Sequence, residues 1–250
     1  MTSRLTDLLG LRAREHVAFV GAGGKSTLLL GVGHEIAGSE APVVMATTTR
    51  MSADQAPAWA ELCTNLSQVE RALASATPAF LIEGIEGSKA MGISPLLADE
   101  IYQSTAATVL VEADGAQGRP FKAPAAEEPV IPSTTTLVVV VAGMDGLGGI
   151  IADVCHRPER VAALTGRRRG DLLRAEDMAK VLGHEDGGRK GVPPGARLVF
   201  VLARVEARHQ SAVEEITSRL PERVLTIPRS DWPPRLGTEH ESEEVLGHPG

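Results

Sequence analysis

Several runs in this chain are apolar at consecutive positions instead of alternating. They are found among the short apolar runs His16 to Val20, Pro42 to Thr47, Ala79 to Ile82, Ala107 to Val111, Thr136 to Ala142, Arg197 to Leu202 and Arg223 to Ile227. A strand with one wet face alternates, whereas a strand covered on both faces does not, so these runs predict a parallel sheet between two helical layers. Helix-like stretches separate them: Ser26 to Ala37, Leu66 to Ala76, Leu96 to Gln103, Asp153 to Leu164, Ala175 to Leu182 and Ala207 to Leu220. The expected fold is therefore α/β, a doubly wound and mostly parallel sheet. One domain is expected over residues 1–228, since 250 residues make one large domain more readily than two. Residues 150–194, rich in Arg and Gly, break the rhythm and read as a small helical insert. Residues 229–250, rich in Pro, Gly, His and Glu, read as a mobile tail.

The first run leads into Gly21-Ala22-Gly23-Gly24-Lys25-Ser26-Thr27 and then Leu28-Leu29-Leu30. Strand, glycine loop and helix in this order suit phosphate binding. Glycines let backbone N–H groups turn inward, and the helix N-terminus favours an anion. Lys25 is placed to neutralise outer phosphates, Ser26 to ligate Mg²⁺ and Thr27 to donate to an inner phosphate. A full Walker A motif has a glycine where this chain has Phe19, so the loop is a shortened GxGGK[ST] variant, similar to the phosphate loop of Mur-type ligases. The expected ligands are ATP or GTP with Mg²⁺, on a P-loop NTPase-like fold.

The run ending Val111-Glu112-Ala113-Asp114-Gly115 places two carboxylates two residues apart, where both could face the crevice at a strand's C-terminal end. One would hold Mg²⁺ and the other orient a nucleophile. Asp114 is favoured for the metal beside Ser26, and Glu112 for the second role, though the spacing does not decide between them. Lys25, Glu112 and Asp114 are the candidate catalytic groups. Thr47 to Arg50 follow the second strand and could meet phosphate or metal. Arg119 and Lys122, in a Pro-rich loop, are candidate anion contacts or solvated charges. Asp145 and His156 could border the site.

Composition removes other classes. A formal charge of −7 and 3% aromatic residues give neither the basic face nor the stacking platforms of a nucleic-acid binder. Cys63 and Cys155 lack metal or disulfide spacing, and the longest apolar run, Leu137 to Ala142, is too short to cross a membrane. A cytoplasmic protein is expected.

With these residues set out, the chain resembles the YqeC-type family, described as accessory proteins of selenium-dependent molybdenum hydroxylases. The resemblance spans Val17 to Ala203. It rests on the 21–27 loop, TTTRM at 47–51, VEADGAQGRPFKAP at 111–124, EPVIP at 128–132, HRPE at 156–159, LTGRRRGD at 164–171 and KGVPPGAR at 190–197. It implies a nucleotide-binding protein acting in maturation of such a hydroxylase, with the hydroxylase or its cofactor as partner. Two positions depart from the family pattern. Ala203-Arg204-Val205-Glu206 stands where members tend to carry an Asn-Lys-x-Asp-like element, and Gln117 stands where Lys is common, so guanine specificity is not implied. Three activities remain open: NTP hydrolysis driving maturation, phosphate transfer by a kinase or Mur-like ligase, and a nucleotide-dependent switch without turnover.

Overall fold

The computed structural model describes residues 4–233. Eight strands form one sheet: β1 (His16–Gly21), β2 (Val43–Thr47), β3 (Glu61–Cys63), β4 (Ala79–Leu81), β5 (Thr108–Glu112), β6 (Leu137–Gly143), β7 (Arg197–Val205) and β8 (Arg223–Pro228). Their spatial order is β8-β7-β6-β1-β5-β2-β4-β3, and every neighbouring pair is parallel. The expected α/β architecture is therefore present. A small antiparallel sheet of Met51–Ser52, Lys89–Met91 and Gly84–Glu86 lies outside it.

Burial explains why the runs do not alternate. In β1, Ala18 and Val20 join one core cluster while Val17 and Phe19 join another, so successive side chains feed opposite layers. Helices α1 (Leu5–Leu9) and α2 (Lys25–Ala37) cover one face. On α2, Leu28, Leu29, Val32 and Ile36 are all buried, and each such aliphatic side chain contributes about 1.5–3 kcal/mol. Glu35 of α2 fixes α1 by accepting the Leu5 and Thr6 N–H groups at 2.8 and 2.9 Å. The other face is covered by α3 (Leu66–Ala74) and α4 (Pro95–Ser104) over β2, β4 and β5. Beside them, α5 (Ile151–Val154), α6 (Pro158–Thr165), α7 (Ala175–Leu182) and α8 (Gln210–Arg219) lie over β6 and β7.

The helices of the 150–194 segment share a core cluster with α8, through Ile151, Val161, Met178, Val181 and Ile216. The single helix expected from Asp153 to Leu164 is two, α5 and α6. Between them Arg157 adopts a left-handed conformation (φ 56°) and Pro158 starts α6, so no helix runs through. In the stretch read as a tail, Arg229–Asp231 form a 3-10 turn and Trp232 lies on the glycine loop. Residues 234–250 lie outside the described residues. Among the described residues no helix is long and apolar enough to cross a membrane.

Candidate functional site

The C-terminal ends of β1, β2, β5 and β6 converge on one crevice. After β5 the chain passes from one side of β1 to the other, so the loops diverge here, as at the ligand-binding switch point of open α/β sheets. An open cleft of about 770 Å³ lies above them, lined by residues 23–27, Thr49, Arg50, Gly115 to Gly118, Glu112, Glu128, His156, Arg157 and Arg204 among others.

The loop from β1 to α2 is tight. Gly21, Gly23 and Gly24 have φ of 93°, 87° and 137°, which L side chains rarely adopt. At Gly23 a Cβ would also lie 2.5 Å from Gly143 N and 2.6 Å from Pro120 O, so the loop packs flush on β6. Lys25 opens α2 with its side chain turned back and buried. Its Nζ donates to Gly21 O at 2.8 Å and lies 3.3 Å from Asp114 Oδ1 and 3.5 Å from Glu112 Oε1. Burial pulls the Lys25 pKa down, but the Asp114 and Glu112 carboxylates override it and leave it above the ordinary lysine value. The side chain is a fixed cation.

The two carboxylates have separate surroundings. Glu112 Oε2 accepts the Ser26 hydroxyl at 2.6 Å, and the side chain is partly exposed to the cleft. Asp114 is buried. Its Oδ2 accepts Gly21 N–H at 3.1 Å and pairs with Lys122 Nζ at 2.9 Å, while Oδ1 faces Lys25. Thus Ser26 meets Glu112, and Asp114 holds the first glycine of the loop.

Lys122 is as buried as Asp114. It donates to Gly115 O and Glu128 Oε2, both at 2.7 Å, and Glu128 in turn accepts two bonds from Arg157 at 2.7 and 2.8 Å. Burial alone would raise the Glu128 pKa, but Lys122 and then Arg157 hold it below the ordinary glutamate value. Lys25, Lys122 and Arg157 alternate with Glu112, Asp114 and Glu128, so three positive charges meet three negative ones. Beside them His156 borders the cleft, with its pKa lowered by burial and then by Arg157 and Lys122.

The remaining candidates lie partly on the cleft and partly away from it. Arg119 is exposed and its guanidinium donates to Asp153 O. Arg50 lines the cleft and pairs with Glu86 at 3.6 Å. Thr47 Oγ1 turns inward to Thr49 O at 2.9 Å. Asp145 pairs with Arg204 at 2.8 Å. Outside the cleft, Arg167 of the LTGRRRGD block pairs with Asp177 at 2.9 Å. Glu128 and Arg157 were not legible as site residues. Their only signal was their place in the EPVIP and HRPE blocks.

The family model described as "YqeC protein" matches residues 17–159, more than half of the chain. The chain belongs to the YqeC family. A curated relative, "Uncharacterized protein YqeC" of Escherichia coli (strain K12), is 31% identical over 207 residues, which cover 81% of each chain. The match to the YqeC model runs from β1 to the start of α6, so it takes in the glycine loop, both carboxylates, Lys122, Glu128 and Arg157.

Proposed function

We propose that this YqeC-family chain binds a nucleoside triphosphate, ATP or GTP, on Gly21 to Thr27 of a P-loop NTPase-like fold, and that it serves as an accessory protein in maturing a selenium- and molybdenum-dependent hydroxylase. One observation carries the nucleotide reading. A loop of left-handed glycines joins the central strand to a helix whose first two side chains, Lys25 and Ser26, touch the carboxylates ending the next strand. Positive-φ glycines, a helix N-terminus and a fixed lysine together suit an oligophosphate. The hydroxylase context rests on family membership alone.

The donor set fits Mg²⁺ as a shared ion. Among the described residues no three His, Cys, Asp or Glu side chains gather into a metal cage. A site with few protein ligands is the usual one for an ion held jointly with phosphates. Ser26 and Glu112 are the residues proposed to hold it, since they already touch at the cleft wall, and the bound ion would supply charge neutralisation to phosphoryl oxygens. This exchanges the two carboxylate roles expected from the spacing. Asp114, buried between Gly21, Lys25 and Lys122, positions the loop and keeps the lysine oriented. Lys25 exchanges its carbonyl and carboxylate partners for phosphate.

Calorimetric titration of ATP and GTP with Mg²⁺ tests the reading, on the wild type beside Lys25→Ala and Ser26→Ala. Saturable binding that Lys25→Ala abolishes and Ser26→Ala makes independent of Mg²⁺ is expected. A wild type that binds neither nucleotide overturns it. Phosphate transfer to a small acceptor is a second reading, favoured by the cleft's reach past the glycine loop to His156 and Arg157. Labelled nucleotide yielding only free phosphate in cell extract excludes it, and tight binding without turnover identifies a switch.

A further inference from the structure

The glycine loop carries an aromatic cover that no phosphate contact requires. Trp232 follows the turn after β8, and the benzo edge of its indole lies against Gly24, so that a Cβ there would overlap Cζ2 and Cη2. The Arg204 guanidinium lies 5.8 Å from the indole centroid. Arg204 leaves the end of β7 in a left-handed conformation (φ 58°), and Asp145 holds its guanidinium by two hydrogen bonds of 3.1 and 2.8 Å. Arg204 lines the cleft together with Gly23 and Gly24. The indole is thus partly buried beside two residues of the cleft end, Gly24 and Arg204, and the Arg204 guanidinium is itself part of the cleft wall.

The carboxylates nearby are already engaged. Asp145 serves Arg204, and Glu206 pairs with Arg208 Nε at 3.1 Å and Arg229 Nε at 3.4 Å. Both are charge-neutralised by arginine, so neither is the bare carboxylate that would read the ring N–H and amino protons distinguishing guanine from adenine. Stacking and cation–π contact remain, and both tolerate any base because every base has a π face.

We propose that Trp232 and Arg204 form the base-stacking wall of the cleft, taking the aromatic ring of a mononucleotide with little regard to its identity. The proposal rests on the reading of Gly21 to Thr27 as the triphosphate site. It makes the segment after β8 part of the ligand site.

ATP, GTP and inorganic tripolyphosphate, each with Mg²⁺, are titrated calorimetrically into the wild type, Trp232→Ala and Trp232→Phe, with urea unfolding to verify each fold. Trp232→Ala is expected to weaken ATP and GTP about tenfold each, in line with the loss of one stacked base. Trp232→Phe stays near the wild type, tripolyphosphate binds both variants as it binds the wild type, and ATP and GTP differ little. In a Trp59→Phe background, the remaining indole's fluorescence changes with ATP and not with tripolyphosphate. Unchanged ATP and GTP affinity in Trp232→Ala overturns the proposal and leaves the triphosphate site standing. A strong preference for one base, or tripolyphosphate weakened as much as ATP, also overturns it. If the wild type binds none of the three, the triphosphate reading itself has failed.

Discussion

His16 at the start of β1 is fully buried, shares a hydrogen bond of 2.8 Å with Thr134 through Nδ1, and stacks on Tyr102 with ring centroids 5.0 Å apart. Burial lowers its pKa to about 4, against an opposing pull from Asp99 and with a smaller push from Arg14. The unfolded chain takes up that proton near pH 6.5. Stability is therefore full above pH 6.5 and falls as pH drops toward 4, by about 3 kcal/mol in all. Asp99, held below its ordinary value by Thr134 and Ser133 despite its burial, keeps its contribution until lower pH. His156 and His209 shift the same way as His16, so the comparison that isolates His16 is with His16→Asn. The fall in thermal midpoint between pH 6.5 and 4 is expected to be shallower in that variant, and parallel curves would refute the assignment. Lys122 shows what single residues conceal. Read beside Arg119 as one of two loop cations, it is buried while Arg119 is exposed. Its partners Asp114 and Glu128 sit eight residues before and six after it, a spacing with no local period to announce the contact.

The glycines of the 21–24 loop belong to an element whose conformation is fixed by what it packs on. Gly23→Ala meets both a left-handed backbone and the atoms of Gly143 and Pro120, whereas Gly118, also left-handed (φ 72°), has open space around it. Gly118→Ala is expected to cost about 1 kcal/mol and Gly23→Ala well above 2 kcal/mol in urea unfolding. Equal costs would mean that the loop gives way freely. Elements of this kind were readable because strand, glycines and helix follow one another directly. Ala175–Leu182 was also read with its observed ends, having an apolar stripe that matches the helical period. The strand β3 was missed, being three residues long with Glu61 and Leu62 exposed at the sheet edge, and so was the five-residue α1. Neither offers a pattern long enough to stand out.

Across the molecule, the Asp114, Lys122, Glu128 and Arg157 chain ties the loop after β5 to the start of α6, joining the glycine loop to the helices of the 150–194 segment. Lys122→Met leaves two carboxylates facing each other in a dry place and is expected to lower stability by about 3–5 kcal/mol. Arg50→Met breaks an exposed pair with Glu86 and should cost less than about 1 kcal/mol. A Lys122→Met loss as small as that of Arg50→Met would show the chain of charges to be incidental. The parallel layering was visible in the consecutive apolar runs, but which charges share one enclosure is decided only when distant loops are brought together. The position of β1 has a further consequence during synthesis. Its sole neighbours in the sheet are β5 and β6, and Leu137, which pairs with Val17, is 120 residues downstream. Strand β1 thus waits, apolar and unpaired, until β5 has emerged, and it keeps one open edge until β6 follows, so a nascent chain halted before β6 presents that edge to chaperones or to other nascent chains.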